Sequence, residues 1–81
     1  MPKYKKKPVI VEAKQWHESE IDEYFNDKIW WDSQAKKYYC DTLEGKLFVS
    51  EDDWIITGVQ GEFYPCKDEI FKETYEFVSD L

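Results

Sequence analysis

Trp54-Ile55-Ile56-Thr57-Gly58-Val59-Gln60-Gly61-Glu62-Phe63-Tyr64-Pro65-Cys66 is the stretch on which the fold turns. Trp54–Thr57 is a run of aromatic and β-branched residues, the composition of a strand. Gly58 and Gly61 bracket Val59-Gln60, and glycines so placed let the backbone bulge or reverse in a short space. Glu62–Cys66 then reads as a further short strand. Pro65 confines it to a sheet edge or a strand end, because proline has no N–H to give to a neighbour.

Outward from this stretch the two-residue period recurs. Val9, Val11 and Ala13 alternate with Ile10, Glu12 and Lys14, so a half-buried strand is expected from Val9 to Trp16. Ile29-Trp30-Trp31, Lys37–Thr42 and Lys46–Val49 read as strands, separated by Asp32–Ala35 and Leu43-Glu44-Gly45. Ser50–Asp53 turns into Trp54, and Phe77-Val78 closes as a last edge strand. Two segments carry a helical period. Ser19-Glu20-Ile21-Asp22 resembles a capping box, with Ile21, Tyr24 and Phe25 on one face, which predicts a helix over Ser19–Asp27. Asp68 can cap a second helix to Tyr75, with Ile70, Phe71, Thr74 and Tyr75 together. The expected class is α+β: a small bent antiparallel sheet or partly open barrel with two short helices. Residues 1–7 read as a basic arm and residues 8–81 as a single domain.

Composition bounds the function. A chain of 81 residues has room for one small core, and 15 aromatic rings (four Trp, six Tyr, five Phe) can build it efficiently. Not all of those rings fit inside so small a body, and clustered exposed rings would mark a binding surface. Trp30-Trp31 and Tyr38-Tyr39 are doublets on expected strands, so one ring of each can enter the core while the other faces outward. Residues 1–14 hold five Lys against one Glu, a balance of +4; the remainder holds six Lys against 17 acids, a balance of −11. An acidic body repels phosphate backbones, which argues against DNA or RNA as a partner. None of the 11 basic residues is Arg, so the planar fork that grips phosphate is missing. The start has no apolar run of about 7–15 residues, as a signal peptide needs, nor one of about 20, as a membrane span needs. The expectation is a cytoplasmic protein with no membrane contact and with Cys40 and Cys66 as free thiols.

Catalytic signals are weak. His17 is the one histidine, and no nucleophile elbow, zinc-protease or phosphate-loop motif accompanies it. Two Cys and one His do not make an ordinary four-ligand zinc site. Glu51-Asp52-Asp53 lacks the spaced ligands and the glycine of a calcium loop, and serves better as a turn that bonds its own backbone. Cys66 precedes Lys67 and a helix start, a setting that can lower a thiol pKa, but a small buried hydrophobe is the favoured reading for both cysteines. The chain is therefore expected to be no enzyme, with no cofactor and no metal.

Asp53–Lys67, followed by Ile70-Phe71 and Thr74-Tyr75, resembles a family of small, mostly uncharacterised proteins of tailed phages and prophages. Lys7-Pro8-Val9-Ile10-Val11-Glu12-Ala13-Lys14-Gln15-Trp16 fits the K-P-V-x-V-E-A-x-Q-W start of that family, and Thr42-Leu43-Glu44-Gly45 fits a recurring turn. Residues 17–41 carry no part of the resemblance. Relatives often have Gly-Asp before the aromatic, where this chain has Asp52-Asp53-Trp54. If that turn needs a positive φ, Asp52 tolerates it better than most residues. The resemblance implies a phage protein in a bacterial host cytoplasm, and it supplies no reaction.

The candidate binding residues are Trp54, Gly58, Gly61, Glu62, Tyr64 and Lys67. Two non-catalytic readings stand. In the favoured one, the acidic, aromatic-rich surface docks on a basic host protein and inhibits it or a host defence. In the alternative, rings such as Trp54 and Tyr64 stack on a host nucleotide signal while Lys67 and the N–H groups near Gly58 and Gly61 meet its phosphate. A structural or assembly accessory of the phage is a third. A packing role for the whole motif is weighed equally with a surface role.

Overall fold

The structure, a computed structural model, describes residues 1–21 and 23–79. Its elements are β1 (Glu12–Gln15), 3₁₀ turns at Glu18–Glu20 and Glu23–Phe25, β2 (Trp30–Asp32), β3 (Lys37–Thr42), β4 (Gly45–Val49), β5 (Trp54–Thr57), β6 (Phe63–Cys66) and α1 (Asp68–Thr74). They make two separate antiparallel three-stranded sheets, β1-β5-β6 and β2-β3-β4. The expected α+β class, with one bent sheet or open barrel and two helices, is thereby corrected to a mostly β protein with one short α-helix.

The sheet divides at Ser50–Asp53. A meander would run β4 straight back as β5. Instead Asp52 takes a left-handed conformation (φ 71°), tolerable for Asp where most side chains would be strained. Its N–H donates to the Trp16 carbonyl at 3.1 Å, and the Trp16 N–H donates to the Asp53 carbonyl at 2.8 Å. The chain is thus handed to the far end of β1, and β5 pairs there from Gln15↔Trp54 to Glu12↔Thr57. Long-range pairing at this turn cannot be seen in a local period.

The first expected helix fails for a local reason. After Glu20 the chain leaves helical geometry at Ile21 (φ −68°, ψ 123°), and no side chain caps the turn before it. The two 3₁₀ turns bring Phe25 into the core and leave Ile21 exposed, so the apolar face of the expected helix is split. The second helix forms over Asp68–Thr74, but Asp68 is its first residue and not its cap. Strand β1 starts at Glu12 and not at Val9, because its partner strand ends at Thr57 and Gly58 leads into a turn. Phe77 and Val78 are exposed and belong to no strand.

Strand β5 is covered on both sides. Ile55 is 0% exposed and Ile56 1%. Ile55 packs between the sheets with Trp16, Phe25, Cys40 and Val49, and Tyr24, Ile29, Tyr38 and Phe63 surround that cluster. Ile56 points to the opposite face, shared with Trp54 and Tyr64, where α1 lies: Phe71 stacks on Trp54 at 4.1 Å between ring centres and 6° between planes, and Tyr75 stacks on Phe71 at 5.0 Å. Lysines lie over many rings, among them Lys28 over Tyr24 (4.2 Å), Lys46 over Tyr39 (4.6 Å) and Lys37 over Phe48 (5.3 Å).

Ile55→Ala and Ile56→Ala should each lower the unfolding free energy by about 2–5 kcal/mol in urea denaturation, since both leave a cavity in a closed layer. Val59→Ala, on the exposed hairpin turn, should stay within about 0.5 kcal/mol.

Candidate functional site

The six sequence candidates fall at the β5–β6 hairpin and its junction with α1, and each has a partner inside the chain. Trp54 has Phe71 on one face, and its Nε1–H donates to Asp68 Oδ1 at 2.8 Å. The Gly58 N–H donates to the Glu62 carbonyl (2.7 Å) and the Gly61 N–H to the Gly58 carbonyl (3.0 Å), so these amides close the turn. Gly61 has φ 83°, which favours glycine, and a Cβ at Gly58 would run into the Glu62 carboxyl group. That carboxyl also accepts from the Gln60 N–H at 3.1 Å. Tyr64 faces Tyr75, and burial together with that hydrogen bond pushes its pKa up to about 12. Lys67 Nζ sits 3.2 Å from Asp53 Oδ1. β6 starts at Phe63, so Glu62 lies just before it and not inside it as expected.

Asp53 is the one buried charged residue among those described, at 3% exposure. Its Oδ2 accepts the Ser50 N–H at 2.9 Å and so closes its own turn, as read from the sequence. Its charge bears on both cysteines. Burial first, then the Asp53 charge, pushes the Cys40 thiol up to about 12, and the same causes in the same order raise Cys66. Both thiols are free. The setting of Lys67 and a helix start, which can lower a thiol pKa, does not prevail at Cys66: burial dominates, and Lys67 is itself paired to Asp53. Protonated thiols are poor nucleophiles and poor metal ligands.

His17 sits between two carboxylates, with Nδ1 3.4 Å from Glu51 Oε1 and 3.1 Å from Asp52 Oδ1. The Glu51 carboxylate also accepts the Glu18 N–H at 3.0 Å. These three side chains are the one group among the described residues spaced to hold a metal ion. Glu51 and Asp52 are exposed and His17 is half-buried, with both carboxylates near the same ring nitrogen.

The structure adds an aromatic surface that the sequence reading raised without placing. Cross-strand register puts Trp30, Tyr39 and Phe48 in one row on the face of β2-β3-β4 that points away from the core, and Trp31, Tyr38 and Val49 in a row on the opposite, core-facing side. Trp31 meets Tyr38 edge-on at 4.8 Å, and Tyr38 meets Trp16 at 5.0 Å. The doublet was expected to divide into one buried and one exposed ring. Both rings instead stay open, Trp30 at 47% and Trp31 at 51%, because β2 is an edge strand with no neighbour beyond it. Phe48 is 43% exposed. Among the described residues neither tryptophan of the doublet carries a lysine over its face. Beside them is a shallow depression of about 290 Å³ whose lining includes Trp31, Phe48, Lys36, Lys37, Glu18 and Glu51. A second, more apolar depression of about 320 Å³ lies where β4 and β6 approach, lined by Leu43, Leu47, Phe63, Tyr64 and Pro65 among others.

No family model, curated protein or solved structure matches the chain. No helix of the described residues is long and apolar enough to cross a membrane.

Two outcomes follow from this geometry. Asp53→Ala should cost about 2–3 kcal/mol in urea denaturation, because it strips a half-buried N–H and a lysine of a charged acceptor, whereas Lys67→Ala should cost under about 1 kcal/mol, its side chain being largely in water. Burial, aided by the hydrogen bond to Glu12, also lifts Tyr24 to about 12 from 10.0. With Tyr24 and Tyr64 so raised, their contribution to stability is complete below pH 10.0 and is lost as pH climbs toward 12. Ultraviolet titration should find two of the six tyrosines ionising late in the folded chain and all six together in urea.

Proposed function

We propose that this chain is a non-catalytic binding module that docks on a basic partner protein through the Trp30–Trp31 edge of its outer sheet. The observation that carries the reading is that doublet: two large rings, adjacent on an edge strand, about half open and without a lysine over either face. Tryptophan is the residue most enriched among those that dominate protein interfaces, since one ring buries much area with little entropy to lose. Charge supports the sign of the partner. The body outside residues 1–14 carries −11, an attraction of the body as a whole, since beside Trp31 itself Glu18 and Glu51 stand with Lys36 and Lys37. Such a surface speeds the approach of a basic protein and repels an acidic one. The raised thiols support a role without chemistry.

The resemblance to phage and prophage proteins gives this reading its setting, in which the partner is a bacterial host protein whose activity is blocked. Nucleotide capture by the hairpin motif has less support. Its proposed stacking ring Trp54, its lysine and its glycine amides are all engaged within the chain. The candidate surface thereby moves from β5–β6 to β2 and its flank.

The test is capture from host lysate with the wild-type chain and with Trp30→Ala and Trp31→Ala variants of unchanged stability. The reading expects a stoichiometric basic protein that each variant binds at least about tenfold more weakly, with hot-spot losses of about 2 kcal/mol or more. Its association should slow steeply with added salt. Equal binding by the variants, an acidic partner, or a bound nucleotide in place of a protein would overturn it.

A further inference from the structure

Strand β1 ends its sheet, and the pairing with β5 fixes which of its backbone groups face outward. Trp16 bonds across to the Asp53 carbonyl, and its own carbonyl accepts from Asp52. In an antiparallel ladder, residues that bond to the partner strand alternate with residues that do not. Lys14 and Glu12 therefore bond to Ile55 and Thr57, and the N–H and C=O groups of Ala13 and Gln15 point away from β5. No backbone bond from the described residues reaches them on that side. The other sheet ends are blunted. The Gly58–Glu62 bond and the β5–β6 register turn Pro65 outward, where it has no N–H to offer. Strand β2 has three residues, and β4 is approached by β6.

The charges along β1 select what fits this edge. Glu12 and Lys14 are two residues apart, exposed, and on the same face. Glu12 accepts the Tyr24 hydroxyl at 2.7 Å and Lys14 Nζ lies 5.2 Å from the centre of the same ring, so both side chains are already oriented. Set a second β1 antiparallel, with the two-fold axis at Ala13. Ala13 then faces Ala13 of the second copy, and Val11 faces its Gln15, each pair exchanging backbone bonds. Between them Glu12 faces Lys14 of the second copy and Lys14 its Glu12, in the non-hydrogen-bonded pairs where side chains come closest. Moving the axis to Glu12 or to Lys14 opposes two carboxylates or two ammonium groups instead.

We infer that two copies of this chain pair β1 against β1 about Ala13, joining their β1-β5-β6 sheets into one continuous sheet. The contact is the same patch on both copies, so it closes as a two-fold dimer. It also gives a partner to the strand-like alternation of Val9–Val11, where Ile10 is 81% exposed and β5 has already stopped. So short a pairing lies at the small end of specific interfaces, and the dimer exchanges with monomer. The Trp30–Trp31 edge belongs to the other sheet and stays open, so this pairing neither needs nor blocks the partner proposed above.

The test is sedimentation equilibrium of the full chain alone, from micromolar to millimolar concentration, where a concentration-dependent dimer is expected. Glu12→Lys and Lys14→Glu each set like charges opposite one another at both pairs, so each variant alone should associate about tenfold or more weakly than the wild type. Mixing the two restores opposite charges at both pairs, and a heterodimer should form. Amide exchange followed by NMR should slow at Ala13 and Gln15 as the dimer fills. Where a charge variant does not fold, Ala13→Pro takes its place: it removes the central outward N–H, which an edge strand tolerates, and should abolish the dimer. A wild type that stays monomeric at millimolar concentration would overturn the inference. So would variants that dimerise normally, folded charge variants that fail to associate on mixing, or a dimer whose Ala13 and Gln15 amides exchange as fast as the monomer's.

Discussion

The central strand of the inner sheet is buried on both of its faces, and the rest of the molecule follows from that. Ile55 and Ile56 are adjacent, so they point to opposite sides, and both are closed off from water. One sheet face of a small β protein can be left to solvent, but β5 needs a cover on each. On one side the cover is the outer sheet with the 3₁₀ turns, bringing Phe25, Cys40 and Val49 onto Ile55. On the other it is seven residues of helix, whose Phe71 lies flat on Trp54. The described residues supply no further layer. The far face of β2-β3-β4 is therefore left uncovered, and the rings on it face water.

Asp53 sits where these layers join. Its backbone ends the pairing with β1, its carboxylate closes the preceding turn, and Lys67 reaches it from the residue before α1. A buried carboxylate is tolerable here because a backbone N–H and an ammonium satisfy it. The rings divide in the same way. Those of the C-terminal stretch, Trp54, Phe71, Tyr75 and Tyr64, hold the helix to the sheet. Those of β2 and β4 have no such task.

Much of this was legible in the sequence. Five of the six strands lie within one residue of the bounds expected for them, and the glycines at 58 and 61 mark the β5–β6 turn. Asp52 takes the positive φ that its place before Asp53-Trp54 raised as a condition. What the period could not show was pairing. The alternation of Val9–Val11 is that of a strand, yet pairing depends on where β5 ends, a fact about residues 46 positions away. The split into two sheets likewise depends on Trp16 meeting Asp52 and Asp53 across the fold. The helix over Ser19–Asp27 was read from three apolar positions, too few to outweigh the pull of Phe25 into the core. The candidate binding residues lie on the most distinctive motif, and the structure shows dense internal bonding there. The Trp30-Trp31 doublet was noticed, and its openness was not, because the edge position of β2 appears only in the assembled sheet.

The account stands or falls on which tryptophans meet water. Oxidative footprinting of the native chain, diluted until it is monomeric and read residue by residue in a mass spectrometer, compares all four in one experiment. The account predicts rapid modification of Trp30 and Trp31, with Trp16 and Trp54 protected until the protein unfolds. Trp54 reacting as fast as Trp30, or a protected Trp30–Trp31 pair, would contradict it.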